Sequence, residues 1–342
     1  MAEIVNSFIF NSDRAVHSVR AVLWRWFGMA GAAIVMLIVL LSLPVLFAGT
    51  DVEAGRTNAD WVNRKVAASA ALTSKRIVLL GGSNTLYGFS AEMITSQTGR
   101  PALNAGLNAG FGLKYLLHIG RNIAKPGDLF VLPLEYPLFE KAQVHDSAIF
   151  QFISHDQAWL KSLSWLERFE FAWAVRIKHW QYYYLSSQNP PAPVAIGARL
   201  PGAPLLNDVG DVIDADSASI TPQMREAVKN ETIRVWKLDN DALNVLQKFA
   251  EDLQALDITV IVIPPNVHER MLNSTANKAF FEQLSRAMAD RGITTLGDPQ
   301  LFLFNDNCAY DTNWHLTRPC QIKHTKKLIQ LLKDAGRIAP PE

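Results

Sequence analysis

The sequence predicts an α/β fold: a parallel β-sheet covered by helices on both faces, placed behind one apolar N-terminal helix. Three observations predict it. Short, continuously apolar runs such as Arg76–Leu80 (RIVLL) and Ile258–Ile263 (ITVIVI) alternate with longer amphipathic stretches. Strands without polar alternation belong to sheets buried on both sides, and helices are what bury them. The chain has 342 residues, 49% of them hydrophobic, which suffices for one large core or two ordinary ones. Finally, no charged residue occurs from Trp26 to Thr50.

That first stretch is nearly all aliphatic from Gly31 to Phe47, long enough to cross a bilayer as a helix of about 20 residues. A secretory signal has a shorter apolar core and a small-x-small cleavage site, whereas Leu46-Phe47-Ala48 is bulky there. The expectation is therefore an uncleaved anchor at 26–50. Arg14, Arg20 and Arg25 precede it, and Asp51, Glu53 and Asp60 follow it. Short flanks rich in arginine stay cytoplasmic, so residues 1–25 belong inside the inner membrane and the rest on its extracytoplasmic side. Trp24 and Trp26 suit the inner interface.

Next comes a polar, helical connector at 51–75. Strand Arg76–Leu80 leads to a helix at Ser90–Gln97, a short strand at Ala102–Leu107 and a helix at Leu113–Ile123, whose Leu113, Leu116, Leu117 and Ile123 recur at helical spacing. Lys125-Pro126-Gly127-Asp128 turns the chain into strand Leu129–Leu134. Later come helix Ala242–Leu256, strand Ile258–Ile263, helix Lys278–Arg291, strand Ile293–Leu296 and a closing helix Gln321–Ala335. Residues 139–239 break the alternation. They hold Trp159, Trp165, Trp173, Trp180 and Tyr182–Tyr184, then five prolines between Asn189 and Pro204. This reads as an insertion over the carboxyl edge of the sheet, its aromatics either core or a platform for sugar or membrane.

Composition excludes several classes. The net charge is +1 with no basic stripe, unlike a protein that grips nucleic acid through phosphates. Two cysteines are too few for a disulfide-built miniprotein or an all-cysteine zinc site. No cofactor fingerprint and no metal-ligand set is recognisable. On an oxidising side Cys308 and Cys320 either remain free thiols or pair, closing a loop of about 13 residues worth on the order of 3 kcal/mol.

Ligands of open α/β sheets bind at the carboxyl ends of strands, so the residues just after each strand carry the chemistry. After the first come Gly81-Gly82-Ser83-Asn84-Thr85. Glycines let the backbone turn and present Ser83 as a nucleophile; the same residues also make an ordinary turn or cap. Thr85 stands where a G-x-S-x-G elbow has glycine, and no Lys-Ser/Thr of a P-loop follows. After the second strand, Asn104 to Gly112 offers Gly106, Asn108 and Gly110 as donors beside Ser83, or simply a strand-to-helix turn. Glu135, after the third, is either functional or a cap. Asp311, four residues before His315, can orient its imidazole so that His315 takes the Ser83 proton. His268, after Pro264-Pro265-Asn266-Val267, is placed to line the mouth.

The order of these blocks resembles the SGNH (GDSL-like) hydrolase superfamily: GGSN after the first strand, a Gly/Asn block after the second, and an Asp/His block before the last helix, spread over about Arg76–Leu332. The resemblance implies a flavodoxin-like three-layer α/β/α sandwich over 76–342. It also implies ester chemistry through Ser83, with His315 as base and Asp311 as third member. The oxyanion donors would be the Ser83 N–H, a glycine N–H at Gly106 or Gly110, and an asparagine side chain; Gly82 and Asn84 flank the nucleophile. Two features depart from the pattern. Acid and histidine are one residue further apart than in D-x-x-H, which leaves Asp306 as another acid for the role. The third block has Glu135-Tyr136 where the family has an asparagine, so either Asn108 substitutes or the oxyanion hole is incomplete.

With its anchor, the chain resembles the branch that decorates cell-envelope polymers, the DltD-like and alginate-acetylation proteins. This implies an O-acyltransferase, O-acetyl above all, acting on an envelope or exported polysaccharide with a multispanning membrane protein as acyl donor. Two alternatives stand beside it: a carbohydrate or lipid esterase using the same residues, and a non-catalytic domain that binds a glycan or partner.

Overall fold

A computed structural model of the chain describes residues 19–40, 53–73, 75–140, 156–168, 170–171, 204–231, 233, 235–272 and 275–338. The chain forms two compact units, one of Met1–Asp51 with Ser164–Ala192 and one of the remainder. In the first, helix α1 (Val19–Leu40) has 22 residues, is exposed along its length and is long and apolar enough to cross a membrane. It begins before Trp26 and takes in Arg20 and Arg25; residues 41–50 lie outside the described residues.

The second unit is an α/β fold. Its elements begin with α2 (Glu53–Ala71), β1 (Ile77–Leu79), α3 (Ser83–Gly88), α4 (Ala91–Thr98), β2 (Ala102–Asn104), α5 (Gly112–Ile123) and β3 (Leu129–Pro133). There follow α6 (Gln157–Ser162), α7 (Pro222–Asn230), α8 (Asn240–Gln254) and β4 (Thr259–Ile263). The last are β5 (Val267–His268), α9 (Glu269–Leu272), α10 (Thr275–Ala289), β6 (Leu303–Phe304) and α11 (Arg318–Asp334). Strands β2-β1-β3-β4 make one parallel sheet, with Val78 opposite Leu103 and Phe130, and Val131 opposite Ile261. A separate parallel pair joins β5 and β6.

Alternate residues of each strand feed opposite faces. Ile77, Leu79, Leu129, Val131, Ile261 and Ile263 meet Ala91 and Ile94 of α4 and Leu328, Ile329 and Leu332 of α11 in one cluster. On the other face Phe130 stands edge-on to Phe249 of α8, ring centroids 6.0 Å apart. There α5 lies so close that a Cβ on Gly120 would fall 2.5 Å from Leu80 Cδ2 and 3.0 Å from Phe249 Cζ. Glycine is what permits that approach.

Helix α2 belongs to this core rather than linking to it. Val62, Lys65 and Ser69 are buried. Arg76, fully buried, bonds Asp128 Oδ2 at 2.6 Å and also reaches Ser69 and Ile123 carbonyls. Removing one partner of such a pair costs about 3–5 kcal/mol, because a buried charge is left alone. Lys65 Nζ donates to the Gly210 carbonyl.

Both borders of the sheet are occupied. Along β2, Asn104 N–H donates to Val209 O at 2.9 Å, from a hairpin closed by the Leu206–Val212 bridge. The same hairpin supplies Asp211, which caps α4 by accepting from Ser90 Oγ (2.9 Å), Ala91 N (2.7 Å) and Glu92 N (3.0 Å). Along β4, Val262 N–H donates to Thr294 O at 2.9 Å and its carbonyl accepts from Leu296 N–H at 3.0 Å. The strand expected at Ile293–Leu296 thus amounts to a single bridge at Thr295. Of the expected insertion, 141–155 and 172–203 lie outside the described residues, Trp173, Trp180 and Tyr182–Tyr184 among them. Trp159 of α6 is buried edge-on to Tyr115.

Candidate active site

Ser83 is the first residue of α3, at the carboxyl end of β1, and is half-buried. The two glycines before it are demanded by contact. A Cβ on Gly81 would lie 2.3 Å from Thr85 Oγ1, and one on Gly82 only 2.0 Å from Glu135 Oε2. Asn84 is fully buried and spends its side chain on the Pro133 carbonyl at 2.9 Å, which ties α3 to the end of β3.

Four residues along α3 from Ser83 stands Tyr87, on the same face of the helix. The His315 imidazole stacks on Tyr87, centroids 4.2 Å apart and planes 12° from parallel. His315 also acts electrostatically on Glu135, the carboxyl to which the Ser83 hydroxyl bonds, so the imidazole belongs to the surroundings of the serine turn. Nδ1 of His315 is 2.6 Å from Asp311 Oδ1, so the extra residue between acid and histidine does not prevent their pairing. Burial and the nearby Asp311 charge push the Tyr87 hydroxyl well above the usual tyrosine range.

The loop that carries this pair is held from several sides. A disulfide joins Cys308 to Cys320, the Ala309–Leu316 bridge lies inside it, and Tyr310 N–H bonds His315 O at 3.0 Å. Between Asp311 and His315, buried Asn313 accepts from both Nε (3.1 Å) and Nη2 (2.9 Å) of Arg270, while its backbone N–H donates to Glu231 at 2.8 Å.

Asp306 pairs with His268 instead, Nε2 to Oδ1 at 3.0 Å. His268 is buried, and its Nδ1 accepts from Arg270 N–H at 3.3 Å. The glycine amides are already engaged: Gly106 N–H bonds Asn104 Oδ1 (3.0 Å) and Gly110 N–H bonds Asn108 Oδ1 (2.8 Å). Asn108 and Gly110 are half-buried beside Ala109, whose Cβ lies 2.8 Å from the Cβ position of Gly82. The second block therefore adjoins the serine turn.

Glu135 is the central finding. It is 3% exposed, and its Oε1 accepts from Asn84 N–H at 2.7 Å and from Ser83 Oγ at 3.2 Å. The serine hydroxyl donates to this carboxyl and not to the imidazole. Oε2 is buried without a partner. Burial pushes the Glu135 carboxyl up to about 7, against the pull of the Asn84 N–H, His315 and Ser83. A carboxyl poised there can hold or release a proton at neutral pH.

Tyr87, Arg270 and Asn313 escape a reading of motifs. The spacing of Tyr87 from Ser83 is a usable signal once a helix is placed at 83. The Arg270–Asn313 contact joins distant segments and leaves no local trace. Beside Glu135, Leu134 and Tyr136 line an apolar cavity of about 90 Å³ at the ends of β3 and β4. Among the described residues no cluster of three histidine, cysteine or acidic side chains could hold a metal.

No protein-family model matches the chain, and no curated protein is significantly similar to it in sequence.

Proposed function

We propose that the chain is an SGNH-type O-acyltransferase, anchored in the inner membrane by α1 with its α/β unit on the extracytoplasmic side, that modifies an envelope or exported polysaccharide. The observation that carries this reading is that Ser83, on α3, and a histidine–carboxylate pair stacked on Tyr87 of the same helix both act on one buried carboxyl, Glu135. The parallel sheet with helices on both faces agrees with the flavodoxin-like sandwich of that superfamily. The apolar helix and the disulfide suit an oxidising compartment at a membrane.

In this reading Ser83 carries the acyl group as an ester. Asp311 accepts from Nδ1–H of His315 and so leaves Nε2 free as a base. His315 then takes the proton of an acceptor sugar hydroxyl, whose oxygen attacks the acyl carbon and displaces Ser83. The Ser83 N–H and the Asn108 side chain are the donors assigned to the oxyanion. A membrane-bound donor fits the tether, since tethering raises the effective concentration of one partner at the other.

The test is the full-length chain in detergent, given an activated acetyl ester and examined by intact and peptide mass spectrometry. The expected product is an acetyl group on Ser83, absent from Ser83→Ala. Glycan acceptors then divide transferase from esterase: O-acetylated sugar supports the first, free acetate alone the second. A folded protein that never acquires the adduct would leave a binding-only domain as the better reading.

A further inference from the structure

Among the described residues the Ser83 hydroxyl has one hydrogen-bond acceptor, Glu135 Oε1, at 3.2 Å. His315 lies across the Tyr87 ring with Asp311 on its inner nitrogen and makes no bond to Ser83. A general base must first be within hydrogen-bond reach of the proton it removes. Glu135 meets that condition as the structure stands, and the imidazole does not. The carboxyl is also held for the task. Asn84 N–H fixes Oε1 at 2.7 Å, and Gly82 leaves room for Oε2 that any side chain would fill. The groups that act on it are the Ser83 hydroxyl and the Asn84 amide from α3 and the charge of His315 from the loop before α11; among the described residues His315 is the titratable one acting on it.

From this arrangement we infer that the site has two bases with separate duties: Glu135 takes the proton of Ser83 when the acyl group arrives, and His315 takes the proton of the acceptor when it leaves. The inference rests on the acyl-serine reading above and assigns its first half.

The protons and bonds balance with an acyl ester or thioester as donor and a sugar hydroxyl as acceptor. As the Ser83 Oγ–carbon bond forms, the Oγ proton passes to Glu135 Oε1 and the carbonyl electron pair moves onto oxygen. The pair returns as the bond to the donor's leaving oxygen or sulfur breaks, and the leaving group departs with the proton from Glu135. In the second half the acceptor hydroxyl gives its proton to His315 as its oxygen bonds the acyl carbon. Ser83 Oγ leaves with a proton from Glu135 Oε1, its hydrogen-bond partner, which has taken one up from solvent, and His315 releases the acceptor's proton to solvent. A carboxyl that titrates near 7 suits the first exchange in both directions.

The experiment uses the full-length chain in detergent micelles with p-nitrophenyl acetate, whose leaving group needs no proton. The wild type is expected to release a burst of nitrophenolate as Ser83 is acetylated, with a burst rate that rises with pH through about 7. Glu135→Gln keeps the shape of the side chain and an oxygen for the Asn84 N–H, and circular dichroism verifies its fold. It should slow the burst by about a hundredfold or more and lose that pH limb. His315→Ala should still give a burst, with its pH limb moved upward because the imidazole no longer pulls the Glu135 carboxyl down, and should then stall after one turnover with acetyl-Ser83 accumulating. A Glu135→Gln burst at the wild-type rate, or a His315→Ala protein without one, overturns the inference while leaving the acyl-serine intact. A folded wild type that never acetylates Ser83 overturns the underlying reading, and the inference with it.

Discussion

A carboxyl group with almost no exposed surface and one oxygen without a partner is a poor contributor to stability at neutral pH. For Glu135 the sign follows from its shift. The folded value, about 7, lies above the ordinary carboxyl value of 4.5, so its contribution is fully present below pH 4.5 and is lost as pH rises through 7. The loss is on the order of 3 kcal/mol by pH 8. Glu135→Gln should therefore unfold at a higher urea concentration than the wild type at pH 8, and the two should converge near pH 4.5. A variant less stable at pH 8 would mean that the charged carboxyl holds the site together. Gain of stability with loss of acylation would be the mark of a residue kept for chemistry. The place of Ser83 after the first strand and the pairing of Asp311 with His315 are legible in the sequence because each is local: a glycine turn before a serine, an acid four residues from a histidine. The link from Ser83 to Glu135 spans 52 residues and exists only because β1 and β3 are neighbours. No spacing rule reveals it.

Among elements, the long ones were readable and the short ones were not. Helices α5, α8 and α11 carry apolar residues at regular spacing, and their expected ranges fall within a few residues of the observed ones. Helix α3 has six residues, SNTLYG, with no period to detect. Helix α2 looks polar because Lys65, which it buries completely, is a charged residue in water; inside, burial pushes its ammonium down to about 7. The loop from Cys308 to Cys320 depends on α9 in a way that a substitution can expose. Arg270 grips Asn313 with two nitrogens, and lysine offers a single charged point instead of a fork. If the proposed acyl transfer holds, Arg270→Lys should lower its kcat by about 10- to 100-fold through a small displacement of the Asp311–His315 pair. KM and the far-ultraviolet spectrum should not change. A kcat within a factor of about two of wild type would show that the disulfide and the Ala309–Leu316 bridge hold the pair unaided.

At the scale of the whole chain, composition and order were informative: one apolar helix, then alternating strands and helices, gave the α/β class directly. The strand order β2-β1-β3-β4 was not readable, since continuous apolar runs carry no mark of their neighbours. The 22-residue α1 spans about 33 Å as a helix, which matches the hydrocarbon thickness of a bilayer. After alkaline carbonate washing the chain should remain in the membrane pellet, and it should leave only with detergent. Release by carbonate would rule out a spanning helix.

The borders of the sheet take on a second meaning if α1 anchors the chain in a membrane as proposed. Molecules held in a plane collide more often than the same number free in solution, and an open strand is a template on which another copy can add its own. Here the hairpin at Val209 and the segment at Thr294–Leu296 already use the outward-facing groups of Asn104 and Val262. Those groups are therefore not open to a strand from a second copy.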